Sequence, residues 1–247
     1  MKAASCVHKS IEAFVTLFFP YRCCLCRSYT GNHAVCIKCW SNVVFIISPF
    51  CAVCSKPFFN PILNDYADTL ICTECQEKTL YFKKCLSLGI YQDYLKNIIQ
   101  LFKFHNQPYI GKFLGTKLAS LINNNHEFLD ADIIIPVPLQ KMREKKRGYN
   151  QSLILAQALS RCVQIPISKN CLKRQGNRPP QSNLSMKERK LNVRGHFLVT
   201  NQKQITKKRI LLIDDVFTTG STLNECARVL RHAGATEILA ITLARTA

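Results

Sequence analysis

Two constellations in this sequence have residue types and spacing suited to chemistry. The first is a set of eight cysteines in four Cys-x-x-Cys pairs: Cys23/Cys26, Cys36/Cys39, Cys51/Cys54 and Cys72/Cys75. Such a turn aims two sulfurs at one point and supplies half of a tetrahedral site. Two turns complete a four-thiolate zinc site, so four turns imply two structural Zn²⁺ ions. The intervals between pairs are nine, 11 and 17 residues. Sequential pairing would stack two zinc ribbons, and interleaved pairing would build a cross-brace. The short first interval favours the sequential form, but spacing leaves both open. Cys24 adjoins Cys23, so either thiol is a candidate ligand. A zinc held by four thiolates has no open coordination position, which suits a docking module better than a catalytic centre.

The competing reading of these cysteines is a disulfide framework, which needs an export signal. Residues Ile11 to Phe19 resemble a short signal core, but Glu12 interrupts it and no small-residue cleavage site follows. So many thiols then imply a reducing compartment, the cytoplasm. Cys6, Cys85, Cys162, Cys171 and Cys226 stand alone and are expected to be buried small apolar residues.

The second constellation is Ile210-Leu211-Leu212-Ile213-Asp214-Asp215-Val216-Phe217-Thr218-Thr219-Gly220-Ser221-Thr222. A buried strand ends in two carboxylates, a hydroxyl-rich turn follows, and a helix begins directly after. Successive N–H groups, hydroxyls and the helix N-terminus make a phosphate cradle. Gly220 lets backbone approach the phosphate. Carboxylates beside a phosphate repel it unless they face hydroxyls or a Mg²⁺ ion. A sugar phosphate meets both needs, with its diol on Asp214 and Asp215.

Elements must position these groups. Leu86 to Tyr91, Asp132 to Ile135, Arg209 to Ile213 and Glu237 to Leu243 read as strands. Tyr94 to Phe104, Gly111 to Ile122, Gln151 to about Cys162 and Ser221 to His232 carry apolar residues at helical spacing. Strands alternating with helices predict an α/β fold, a parallel sheet covered on both faces. The expected division is an apolar helix over 1–20, a double zinc-ribbon module over 21–84 and the α/β domain over 85–247. The polar stretch from Arg174 to Lys190 is the expected mobile loop. No apolar run approaches the roughly 18 residues of a membrane span. Val43 to Ile47 is the size of a core strand.

The 34 Lys+Arg outnumber the 15 Asp+Glu, a net charge of +19, while 47% hydrophobic residues suffice for a packed core and 20% charged residues are too few for a disordered polyelectrolyte. Between Leu139 and Gly195 there are 14 basic residues and two acidic ones, a surplus of 12. A sugar polyphosphate carries roughly four or five negative charges, so the surplus suits a phosphodiester backbone as second partner. Lys145, Lys146, Arg147, Arg174, Arg178 and Arg189 are the candidate contacts to single-stranded DNA. Tyr149, Phe197, Trp40, Phe58 and Phe59 are either stacking faces for bases or core residues.

The segment from Ile210 to Thr222 resembles the phosphoribosyl pyrophosphate (PRPP) motif of type I phosphoribosyltransferases. Asp132 to Pro138, Arg143, the run Arg147-Gly148-Tyr149-Asn150-Gln151-Ser152, and Gln181, Leu184, Arg189, Asn192 and Phe197 are similar to the competence protein ComF family, as is the multi-cysteine region after Phe19-Pro20. The family often has a Thr shortly before the Gln, where Arg178-Pro179-Pro180 stands here. The resemblance implies a type I phosphoribosyltransferase-like domain behind a double zinc ribbon. Asp214 and Asp215 would be the catalytic pair, holding the ribose hydroxyls beside Mg²⁺. Val216, Phe217, Thr218, Thr219, Gly220, Ser221 and Thr222 would complete the PRPP site, with the 5′-phosphate on Thr218 to Thr222. Pro136, Val137, Pro138, Arg143, Lys146 and Arg147 would face the pyrophosphate. It also implies a role in DNA uptake during natural transformation, beside uptake-machinery proteins at the cytoplasmic face of the membrane. Two functions follow: transfer of phosphoribose to an unidentified acceptor, or non-catalytic binding of single-stranded DNA with PRPP regulatory or vestigial.

Overall fold

A computed structural model describes residues 22–59, 69–175 and 195–246. The helix expected over 1–20, Cys6, and most of the loop from Arg174 to Lys190, including Arg178, Gln181, Leu184 and Arg189, lie outside the described residues, as does Asn192. The described residues between 22 and 82 hold two short helices, α1 (Ile37–Ser41) and α2 (Thr73–Gln76), each beginning just after a cysteine, Cys36 or Cys72, in the N-cap position.

The α/β domain follows as β1 (Lys84–Ile90), α3 (Asp93–Phe104), α4 (Pro108–Asn123), α5 (His126–Leu129), β2 (Ile133–Pro136), α6 (Lys141–Arg147) and α7 (Gln151–Val163). A small antiparallel pair, β3 (Leu172–Arg174) and β4 (Phe197–Val199), precedes β5 (Arg209–Phe217), α8 (Ser221–His232) and β6 (Glu237–Arg245). The main sheet is parallel throughout, in the order β1-β6-β5-β2. The period-2 rule explains its two faces. Leu211, Ile213, Leu239 and Ile241 join a core with residues of α3, α4 and α7. Ile210, Leu212, Ile238 and Ala240 join a second core with residues of α8.

Three boundaries differ from the sequence pattern. β5 continues past Ile213 to Phe217, because Asp214 pairs with Thr242 and Phe217 with Arg245 on an equally long β6. The ladder overrides the poor strand propensity of aspartate. The basic stretch is a helix, α6, with no buried residue, stopped by Gly148 at φ +80°. Val43 to Ile47 is not a strand; Phe45 makes one antiparallel bridge to Gly89. Cys162 is also exposed rather than buried, in the last turn of α7 beside exposed Arg161. Among the described residues no helix is long and apolar enough to cross a membrane.

The cysteine-rich module packs along the outer edge of β1. Ile46 N–H donates to Leu88 O at 3.2 Å, Ile90 N–H to Val44 O at 2.9 Å, and Cys85 N–H to Val53 O at 2.8 Å. A side chain at Gly89 would come within 2.7 Å of Val44 O, so this close approach requires glycine. Cys23 and Cys39 enter the core on the α3–α4–α7 side, whereas Cys51, Cys54 and Cys72 enter the core on the α8 side. The two cysteine groups therefore straddle the edge strand.

Candidate functional site

The sulfurs of Cys23, Cys26, Cys36 and Cys39 lie within 4.8 Å of one another, and so do those of Cys51, Cys54, Cys72 and Cys75. Pairing is sequential. A tetrahedron with Zn–S bonds of about 2.3 Å has sulfur–sulfur edges of about 3.8 Å. Cys26–Cys36 and Cys54–Cys72 are each 3.6 Å apart, close to that value. Backbone N–H groups favour the thiolate form, with Cys39 N–H on Cys36 Sγ and Cys72 N–H on Cys51 Sγ, both at 3.3 Å. The Ser28 hydroxyl, 2.9 Å from Cys26, holds that thiol down at about 6. Both groups fit Zn²⁺. Cys24 is not in the first group; burial pushes its thiol up to about 12, so it packs as an apolar residue.

The acidic pair sits near the carboxyl end of β5. Asp214 Oδ1 accepts from the Ser152 hydroxyl at 3.0 Å and from Asp215 N–H at 2.9 Å. Ser152 is placed by α7, whose N-cap Asn150 also donates to Val137 O at 3.1 Å. Asp215 Oδ1 lies 2.7 Å from Lys103 Nζ on α3, with both side chains 15% exposed. Burial and then the Asp215 charge push the Asp214 carboxyl up to about 7.

That shift has a stability consequence. The folded state holds the Asp214 proton more tightly than an ordinary carboxyl, so the stability it confers is full below about pH 4 and is lost as pH rises through about 7. Asp214→Asn keeps the acceptor oxygen and removes the charge. It is expected to stabilise the fold at pH 8 by roughly 1–3 kcal/mol, after discounting for partial exposure, and to change little at pH 4. Urea unfolding at both pH values checks this; an equal gain at both would acquit the charge.

The turn after β5 is Thr218 to Gly220, and α8 starts at Ser221. Thr219 Oγ1 and Ser221 Oγ are 2.8 Å apart. Gly220 caps α8 at φ +73°, and a side chain there would stand 2.4 Å from the Phe217 ring. The glycine is thus demanded by left-handed backbone and by Phe217 as well as by any ligand. Phe217 itself is buried, and Val216 packs against the other core. Pro136 and Val137 are buried and Pro138 half-buried, with Val137 N–H on Ile213 O at 2.9 Å.

The basic candidates divide. Arg143, Lys145 and Lys146 are exposed on α6. Arg147 is half-buried, donates to Gln151 Oε1 at 2.9 Å, lies over the Phe104 ring and senses the Asp215 charge. Burial and the nearby Arg143 lower the Arg174 guanidinium, which also senses Asp214. Arg147 is thus within electrostatic reach of Asp215 and Arg174 of Asp214, while Arg143 is felt by both arginines. Of the aromatic candidates, Trp40 packs on Phe113, Tyr149 stacks on Phe102, Phe197 is buried, and Phe59 is 81% exposed. Lys103 has no signature in the sequence, because its pairing with Asp215 is purely tertiary. Ser152 was visible there only as part of a run.

Residues 14–76 match a double zinc ribbon domain model, and residues 145–247 match a phosphoribosyl transferase domain model. Competence protein F of Haemophilus influenzae is 35% identical over 234 residues, 92% of this chain and 98% of that one. The chain belongs to the competence protein ComF family. Other ComF-like relatives include competence protein ComFC of Bacillus subtilis, 27% identical over 87% of this chain and 85% of that one. DNA utilization protein YhgH of Escherichia coli K12 is 28% identical over 93% of this chain and 99% of that one. Within the ComF frame, the fold is a phosphoribosyltransferase-like parallel sheet carrying a double zinc ribbon.

Proposed function

We propose that this ComF-family protein binds PRPP with Mg²⁺ and acts in DNA uptake in the cytoplasm, as a phosphoribosyltransferase-like protein. The observation that carries the reading is the continuous run from Asp214 through Ser221: two carboxylates on a buried strand, then a hydroxyl-bearing turn that leads through Gly220 into a 12-residue helix. Asp214 and Asp215 accept from the ribose hydroxyls. Thr218 to Thr222 donate to the 5′-phosphate with the aid of the α8 dipole. Arg143, Lys146 and Arg147, beside Pro136 to Pro138, face the pyrophosphate. Mg²⁺, when bound, supplies Lewis-acid stabilisation of that leaving group. Displacement at the anomeric carbon through an oxocarbenium-like state then needs preorganised charge, not a side-chain nucleophile. Lys103 neutralises Asp215 and must yield or be shared as the ligand arrives. Calorimetry with PRPP and Mg²⁺ tests this, with saturable binding expected; no heat of binding would overturn it.

The same surface supports single-stranded DNA as a partner of the uptake reaction, together with machinery proteins at the membrane. Lys141, Arg143, Lys145 and Lys146 project from a helix that buries nothing. DNA affinity should fall steeply with salt. Lys145→Glu with Lys146→Glu should flatten the logarithmic slope by roughly 1.4 or more, two phosphate contacts' worth. Fluorescence anisotropy across a salt series measures it, and a slope unchanged by the substitutions would remove DNA from α6.

A further inference from the structure

Arg245 ends β6 and is 2% exposed, the one fully buried arginine among the described residues. Its Nη1 donates to Cys54 O at 3.3 Å. Its guanidinium lies over the Phe217 ring, 4.8 Å from the centroid, and its Nε meets no hydrogen-bond partner. A buried and incompletely paired guanidinium is costly. Neither a carbonyl nor an aromatic ring brings the full negative charge that would offset it. The second cysteine group would: four thiolates on one Zn²⁺ are formally dianionic, and Cys54 is one of the four.

The other side of the guanidinium leads to the turn. Phe217 precedes Thr218, and its ring fills the space that a side chain on Gly220 would need. Thr246, next after Arg245, closes the same turn through its N–H to Phe217 O at 3.0 Å and its hydroxyl to Thr218 O at 3.3 Å.

We propose that Arg245 is a positioning residue that couples the second zinc site to the turn after β5. It offsets the charge of the zinc–thiolate group on one side and braces Phe217, and through it Gly220, on the other. The phosphate role of that turn rests on the function proposed above; the coupling itself does not.

The test uses the full zinc-loaded chain. Transfer of zinc to a chromogenic chelator is followed for wild type, Arg245→Met and Arg245→Lys, with amide hydrogen exchange across Thr218 to Ser221 in parallel. Arg245→Met should release one of the two zincs about tenfold faster, as expected for loss of an outer-shell partner, and leave the other unchanged. Its turn amides should exchange faster as well. Arg245→Lys, which keeps the charge, should recover most of both effects. Because coupling is reciprocal, Cys54→Ser should speed the same amides while leaving those of β2 alone. Should Arg245→Met not fold, the lysine variant and Cys54→Ser decide the matter. Equal acceleration of both zincs, a lysine variant as leaky as the methionine one, or turn amides indifferent to Cys54→Ser would overturn the proposal. Neither readout uses PRPP, so failure to bind PRPP would sink the reading of the site and leave this result standing.

Discussion

Stripping the metal with a strong chelator is expected to unfold residues 22–82 and lower the melting temperature of the whole chain. Metal analysis of the untreated protein should find two zincs per chain, one per cysteine group. The module has helices of five and four residues as its only helical elements among the described residues, far below the length at which a helix persists alone. Five of its buried residues are zinc-ligand cysteines: Cys23, Cys39, Cys51, Cys54 and Cys72 are each at most 5% exposed. Without a cation, these crowded thiols lose their reason to converge. A structural zinc contributes on the order of 10 kcal/mol to folding in small domains. Circular dichroism and thermal melts before and after chelation measure the loss. Zinc-free protein with an unchanged melting curve would return the cysteines to redox chemistry.

Replacing both carboxylates, Asp214→Ala with Asp215→Ala, should abolish PRPP binding in calorimetry. Each hydrogen bond to a charged group contributes about 1.5–3 kcal/mol, so losing both costs a factor of roughly 10² to 10⁴ in affinity. The fold should survive, because burial and the Asp215 charge make an ionised Asp214 costly to the folded state. Lys103 sharpens the outcome. In the double variant its ammonium loses its partner and adds positive charge beside the pocket, so any residual affinity must come from phosphate contacts and should be strongly salt-dependent. Unchanged affinity would sink the assignment of the ribose to these residues.

Much of this architecture is legible in the chain. The helices over Asp93–Phe104, Pro108–Asn123 and Ser221–His232 follow from apolar spacing, because each buries one stripe of apolar residues in a core. The zinc groups follow from the pair motif, since a turn of two intervening residues nearly fixes the sulfur positions. What the chain hides is long-range pairing of single residues. The choice of Cys23 over Cys24 depends on which of two buried thiols the fold turns toward Cys26, Cys36 and Cys39, and Lys103 and Arg245 have no local signature. Lys103 follows four apolar residues of a helix stripe and reads as its solvated border, yet the sheet brings it to Asp215. The reach of β5 to Phe217 was hidden for the same reason, because its partner strand lies beyond α8.

The cysteine groups that straddle β1 bear on how the protein is made. They leave the ribosome before the strand whose edge they cover, and long before β6, the strand that pairs with it, so the cysteines are open to metal before the sheet can assemble. A chain born in zinc scarcity would display β1 with its outer row of peptide groups open, a template for joining another copy edge to edge. Zinc supply would then set the soluble yield of this protein as well as its stability, and a shortage would show first as polymer rather than as lost activity.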